Sequence, residues 1–232
     1  LSKGFDVISL IDVNNDGLTD IVGSNYNNSP SSQYFEVLLQ DSASLLSFTA
    51  QPRITLSATN SFTQKHALAD INNDGYPEIF FLSYNKGVQM LLNSSTGFTS
   101  NIIDLASDTG MEGYTDITFY DVNQDGYLDV FAPGQGNTRI FVNNQDNTFQ
   151  YFNISKHERA GLLFDIDLDG NIDIVGSDTF NLSGSKGSAG LVFANKTDFY
   201  TRLQFPGNSN YLGESKLIDF NGDGYLDILI SD

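Results

Sequence analysis

An all-β chain assembled from repeated antiparallel sheets is the architecture the sequence predicts, and three observations carry it. An acidic nonapeptide, Asp-x-[Asn/Asp]-x-Asp-Gly-x-x-[Asp/Glu], recurs five times along the 232 residues. Between the copies the apolar residues follow a short, strand-like period and are rich in Val, Ile, Phe and Tyr. No segment shows a helical period.

The copies begin at Asp12, Asp70, Asp121, Asp165 and Asp219, giving spacings of 58, 51, 44 and 54 residues. Self-similarity at such a period marks a repeat architecture. In the third unit the pattern predicts strands over residues 114–122, 128–133, 138–143 and 148–154, with turn chemistry in 134–137 and 143–147. The second unit repeats this over 65–71, 77–84, 87–92 and 97–105. Units one and four follow with longer connections between their second and third strands, and unit five holds two strands. The units run 1–59, 60–110, 111–155, 156–212 and 213–232. Four short antiparallel strands per repeat describe the blade of a β-propeller, and the units are too long for the coils of a β-solenoid. A unit that stops mid-blade predicts either that the first and last units complete one blade of a small ring or, as preferred here, that the chain is part of a larger ring, of about seven blades, completed by further blades or by another chain.

The net charge of −18 lacks the basic footprint by which proteins hold nucleic acid or anionic membranes. The five motifs contain 16 of the 29 acidic residues, and one divalent cation in each would bring −18 to about −8, an ordinary solubility charge. Most of the acidity therefore reads as coordination chemistry. The absence of Cys excludes disulfides and thiolate metal sites. No apolar run reaches the length of about 18 residues that a membrane span needs. The sequence opens at Leu1 with neither a signal peptide nor an initiator Met, as a mature or partial chain would.

Oxygen-bearing side chains at alternate positions, with a glycine at position six, suit a hard cation such as Ca²⁺. A single Asn-Gly or Asp-Gly is a common hairpin turn without any metal. Three carboxylates within nine residues are different, because they repel one another unless a cation neutralises them. Position twelve, where an EF-hand places a bidentate Glu, holds Gly23, Phe81, Ala132, Gly176 and Ile230, and the flanks read as strands. EF-hand and dockerin-type loops are excluded on both counts.

The loop in this strand context resembles the FG-GAP or VCBS repeat, the calcium-loop blade of the integrin α-subunit propeller and its secreted relatives. The resemblance covers essentially the whole chain. The Phe-Gly and Gly-Ala-Pro portions of the integrin repeat are mostly missing, with Ala132-Pro133-Gly134 as an echo. That favours the looser VCBS-like group, which includes T-cell immunomodulatory-type proteins and fungal propeller lectins. The resemblance implies a loop between the first and second strands of each blade, holding one Ca²⁺. In the first loop the implied ligands are Asp12, Asn14, Asp16, Asp20 and the Leu18 carbonyl. In the second they are Asp70, Asn72, Asp74, Glu78 and the Tyr76 carbonyl, and in the third Asp121, Asn123, Asp125, Asp129 and the Tyr127 carbonyl. The fourth set is Asp165, Asp167, Asp169, Asp173 and the Asn171 carbonyl; the fifth is Asp219, Asn221, Asp223, Asp227 and the Tyr225 carbonyl. The second loop departs in carrying Glu78 after Pro77. Calcium in such loops acts as a staple for the hairpin. The implied affinity is that of extracellular modules, about 10⁻⁴ to 10⁻³ M, which places the chain outside cells, on the cell surface or in a secretory lumen.

N-glycosylation sequons at Asn93, Asn153, Asn181 and Asn195, and at Asn27 beside Pro30, point the same way. In a four-stranded blade the calcium loops share a face with the turn after strand three, where Asn93 and Asn195 fall. The variable connections 24–33 and 177–189 lie on the opposite face, with Tyr26, Tyr84, Phe180 and Tyr211 available for contacts to a protein or a glycan.

No active site is expected. The two His, His66 and His157, lie in a strand and in a polar link, and no G-x-S-x-G or phosphate-cradling Gly motif occurs. The sequence thus predicts a non-catalytic, calcium-stabilised ectodomain for protein recognition in adhesion or surface assembly. A carbohydrate-binding lectin is the alternative, and an enzyme whose site lies outside this segment is the minor one.

Overall fold

The computed structural model describes residues 5–25, 33–44, 46–56, 62–83, 86–106, 114, 116–134, 138–154, 160–164, 173–178, 181–185, 215–222 and 227–230. All of the regular structure in them is strand. The first sheet is the meander β1 (Val7–Ile11), β2 (Asp20–Asn25), β3 (Tyr34–Gln40) and β4 (Phe48–Ala50), with β5 (Ile54–Thr55) also pairing β3. Pro52, which has no N–H to give a ladder, falls between those two outer strands. The second sheet runs β6 (Phe62–Ala69), β7 (Glu78–Ser83), β8 (Gly87–Leu91), β9 (Ile102–Asp104). The third runs β10 (Thr118–Tyr120), β11 (Asp129–Ala132), β12 (Thr138–Asn143), β13 (Phe149–Ile154). A fourth contains β14 (Ala160–Phe164), β15 (Asp173–Asp178) and β16 (Asn181–Ser185), and a fifth β17 (Ser215–Ile218) and β18 (Asp227–Ile230). Every pairing is antiparallel, and all but that of β3 with β5 join neighbours in the chain.

The second strands of the second and third blades are packed on both faces, which is why they read as unbroken apolar runs rather than alternations. In β7 all six residues are buried. Ile79 and Phe81 face the first blade, where they meet Val22, Phe35 and Val37. Phe80 and Leu82 face the third blade and meet Val130, Ala132 and Phe141. The same step repeats one blade on, where Val130 looks back to the second blade and Phe131 forward into a cluster with Ile140 and Val142. Burying such side chains contributes about 1.5–3 kcal/mol each. The apolar clusters between sheets, rather than any single sheet, thus hold the blades face to face.

Two expectations needed adjustment. The strand foreseen over 114–122 is shortened to Thr118–Tyr120, with Tyr114 joined only by an isolated bridge to Gly134. The one foreseen over 97–105 begins at Ile102, because the chain from Ser94 to Gly97 closes a turn in which Gly97 (φ +90°) donates to Ser94 O at 2.8 Å.

Candidate metal centre

Each described acidic loop joins the first strand of a blade to its second, β1 to β2, β6 to β7 and β10 to β11. Position two is the anchor. Val13 and Ile71 are buried in the clusters between blades and Val122 in the cluster on the other face of blade three, so the oxygen-bearing residues on either side of them face outward. Positions four and six then reverse the chain in the left-handed region. Asn15, Asn73 and Gln124 have φ near +59°, and Gly17, Gly75 and Gly126 have φ of +83°, +86° and +88°. Asn tolerates that region and glycine has no Cβ to clash, which explains the Asn-Asp-Gly of the first two loops. Gly222 (φ +76°) holds position four in the fifth.

The side chains at positions one and three converge on the backbone N–H of position five in all three loops. The Asp16 N–H donates to Asp12 Oδ1 and to Asn14 Oδ1, both at 3.2 Å. The Asp74 N–H does the same to Asp70 (3.1 Å) and Asn72 (3.0 Å), and the Asp125 N–H to Asp121 (3.0 Å) and Asn123 (3.1 Å). The second oxygen of position one accepts the glycine N–H at 2.7–2.8 Å. Position seven (Leu18, Tyr76, Tyr127) donates its N–H to position five at 2.9 Å. In the fifth loop Asp219 Oδ1 accepts the Gly222 N–H at 2.6 Å. Asp165, Asp167, Asp169, Asn171, Asp223 and Tyr225 lie outside the described residues, and Asp173 and Asp227 are placed as the first residues of β15 and β18.

Position nine behaves differently from the other acids. Asp20, Glu78 and Asp129 open the second strands and are buried. One oxygen of each accepts the N–H of position two, at 3.0, 3.1 and 2.9 Å. The other accepts the N–H at or just past the end of the third strand: Gln40 at 2.8 Å, Asn93 at 3.5 Å and Asn143 at 2.8 Å. Burial is the first cause that raises the pKa of all three, and the neighbouring loop acids raise it further. Glu78 is pushed up to about 7 and Asp129 to about 6, and Asp20 moves the same way. The ion pairs Arg53–Glu36 (3.3 Å), Lys65–Asp116 (3.5 Å) and Lys86–Asp104 (3.0 Å) lie away from these acids.

The donor set suits a hard cation: carboxylate and amide oxygens gathered on one amide within a single turn, with like charges beside them. Among the described residues no three carboxylates or imidazoles meet as a cluster, because position three is an amide and position nine turns inward.

Sequence reasoning missed the residues that close the site from behind. Asn93, read as a glycosylation acceptor, is instead buried (4 % exposed), and its Nδ2 donates to Val13 O (2.8 Å) and Pro77 O (3.2 Å). An amide spent on two buried carbonyls has no place for a glycan. Asn143 stands at the equivalent point of the third blade and donates to Ile71 O (2.6 Å) and Leu128 O (3.2 Å). The signal was present as an Asn 15 residues after Glu78 and 14 after Asp129. Asn153 is exposed and accepts from Arg139 Nε at 2.7 Å. Asn181 begins β16, whereas Asn27, Asn195, His157 and the aromatics Tyr26, Tyr84, Phe180 and Tyr211 lie outside the described residues.

Two cavities lie near these elements. One, of about 550 Å³, is lined by the first strands of three blades, including Ser9, His66 and Phe119. Here His66 Nε2 and Nδ1 each sit 3.1 Å from a hydroxyl, Ser9 Oγ and Ser24 Oγ, and burial lowers the imidazole pKa to about 4. The other, of about 400 Å³, is a groove between the first two blades, with Asn14 and Tyr76 of the loops beside Leu39, Gln51, Thr96 and Phe98. No helix among the described residues is long and apolar enough to cross a membrane.

Comparison with known proteins agrees with this architecture. A structure titled for the specific recognition of non-reducing terminal N-acetylglucosamine by an Agrocybe aegerita lectin superposes with a TM-score of 0.64 at 20 % identity, covering 97 % of this chain and 60 % of that one. The chain thus spans about 60 % of the length of that lectin, and the likeness concerns the fold, a β-propeller of four-stranded blades. The Photorhabdus luminescens Tc holotoxin pore aligns at a TM-score of 0.42 and 16 % identity, over 97 % of this chain and 13 % of that one. No curated protein matches the sequence. A family model described as an FG-GAP-like repeat matches residues 12–81 and 70–132, which together span just over half of the chain. On that match the chain is a member of the FG-GAP-like repeat family.

Proposed function

We propose that the chain is a non-catalytic, calcium-stapled propeller segment of an extracellular protein, whose blades present a recognition surface to a protein partner. The observation that carries the calcium reading is the threefold recurrence of one cup: positions one and three aimed at the N–H of position five, inside a turn fixed by two left-handed residues. Such repetition is unnecessary for a bare turn. Bound Ca²⁺ supplies positive charge that relieves the repulsion among the loop acids. Asp12, Asn14 and Asp16, with their counterparts in the other loops and the carbonyls at position seven, would hold it. The lone pairs that Asp20, Glu78 and Asp129 do not spend on N–H groups remain for the cation. Further blades, in the same or another chain, complete the ring. Burial leaves His66, flanked by two hydroxyls, a weak candidate for a general base at neutral pH. Native mass spectrometry with calcium and after chelation, with a melting curve for each, tests the calcium reading. Four or five bound Ca²⁺ and a large fall in melting temperature on chelation support it; no metal and no shift overturn it.

Carbohydrate recognition is the second reading, and the groove between the first two blades favours it. Tyr76 and Phe98 offer apolar faces, while Asn14, Gln51 and Thr96 offer hydrogen-bonding groups, the mixture that sugar rings need. The fold shared with the Agrocybe aegerita lectin adds support. A glycan array that includes terminal N-acetylglucosamine decides between the readings. Specific binding lost in Tyr76→Ala and Phe98→Ala would replace the protein partner with a glycan.

A further inference from the structure

Side chains that belong to one blade hold the acidic loop of the blade before it. Asn93, two residues past the third strand of blade two, donates to the carbonyl of Val13 in the first loop, and Asn143 of blade three does the same to Ile71 in the second. The same Nδ2 atoms also reach the position-eight carbonyls of their own loops, Pro77 and Leu128, at 3.2 Å. Their backbone N–H groups meet the buried carboxylates of Glu78 and Asp129, which in turn accept from Ile71 and Val122. Hydrogen bonds therefore run without a break through Val13, Asn93, Glu78, Ile71, Asn143, Asp129 and Val122, crossing two blade interfaces. The exposed rim repeats the tie, since Asn73 Nδ2 donates to Gly126 O of the next loop at 3.1 Å. Asn15 sits likewise against Gly75, where a Cβ would lie 2.7 Å from its Nδ2.

We propose that Asn93 and Asn143 are positioning residues for cation binding in the preceding blade, so that occupancy of neighbouring loops is coupled. The inference rests on the calcium reading above. Position two lies between the ligand-bearing positions one and three. With its N–H held by a carboxylate and its carbonyl held by the next blade, the peptide units that carry Asp70 and Asn72 cannot rotate. Ligands oriented in advance bind more tightly, and outer residues that fix them change metal affinity about 10- to 100-fold. Because each bridging Asn shares its own loop's position-nine carboxylate, a cation in loop three also steadies loop two.

Terbium luminescence reads one loop at a time, since Tb³⁺ replaces Ca²⁺ on oxygen ligands and is sensitised by a tyrosine beside it. With Tyr127→Phe and Tyr225→Phe, the second loop keeps the one position-seven tyrosine, Tyr76. In that background Asn143→Ala, a change in blade three, is expected to weaken Tb³⁺ binding in blade two about tenfold. Asn144→Ala, which loses only a bond to Thr148 Oγ1 (3.0 Å), leaves it unchanged. Asp125→Ala, an exposed change that keeps every bridge, weakens the second loop about fivefold by emptying the third. It also decides the matter if Asn143→Ala does not fold. Wild-type affinity of loop two in folded Asn143→Ala or in Asp125→Ala overturns the coupling while leaving calcium binding intact. A parent protein that binds neither Tb³⁺ nor Ca²⁺ overturns the calcium reading itself, and the coupling with it.

Discussion

Phe80 and Phe119 meet edge to face across the interface of the second and third blades, with ring centroids 5.0 Å apart. Phe149 closes on the same ring from the other side of blade three, at 6.4 Å. Phe80 is fully buried and fills the space that neither blade can fill alone. Phe80→Ala is expected to destabilise the fold by about 3–5 kcal/mol through lost burial and the cavity left behind. Urea unfolding at fixed calcium concentration measures it, and a loss below about 1 kcal/mol would show that the blades are not joined through this contact.

The imidazole of His66 makes stability depend on pH in one direction. Burial lowers its pKa from 6.5 to about 4 in the fold. Between those values the unfolded chain binds more protons, so stability rises with pH, is complete above 6.5 and is lost as the solution is acidified towards 4. The full contribution is about 3 kcal/mol. His66→Gln keeps hydrogen-bonding groups for Ser9 and Ser24 but removes the titration. The difference between the two proteins, followed by denaturant midpoint at pH 7 and pH 4.5, isolates His66 from the carboxylates. A constant difference would place the histidine in a solvated site.

Removing one ligand should empty one loop. Asp125 lies on the surface and accepts from Tyr127 N and Gln145 Nε2, so its loss disturbs little else. Asp125→Ala is expected to carry one Ca²⁺ fewer in native mass spectra and to melt lower than wild type in calcium. In chelator the two proteins should melt together. Unchanged stoichiometry would remove Asp125 from the ligand set.

The sequons divide by burial. Expressed in a eukaryotic secretory host, the protein is expected to carry a glycan at exposed Asn153 and none at Asn93, whose Nδ2 is committed to Val13 and Pro77. Peptide mapping by mass spectrometry reads both sites at once. A glycan on Asn93 would mean that the interface between blades one and two opens before it closes.

Much of this was legible in the chain because it is written locally. β12 falls at the foreseen residues 138–143, and the loops sit between first and second strands, since a turn motif and a strand period are properties of neighbouring residues. What could not be read are the contacts between units. Position nine reads like positions one and five, and the local pattern does not tell that its place at the head of a second strand also commits its oxygens to two buried N–H groups. Asn93 looked like a surface acceptor because a sequon carries no information on burial. A stretch such as 114–117 shows the apolar pattern of a strand whether or not a partner lies beside it.

The bridge between blades has a direction. In both buried bridges the donor amide comes from the later blade and the waiting carbonyl from the earlier one, Val13 before Asn93 and Ile71 before Asn143, whereas the exposed bond from Asn73 to Gly126 runs the other way. A chain leaving the ribosome therefore exposes each loop with its position-two carbonyl unmet until the third strand of the following blade emerges. Each of the two described bridges can form only once the later blade supplies its amide, Asn93 for the first loop and Asn143 for the second. A nascent chain halted between Asn93 and Asn143 would hold a finished first loop and an open second one.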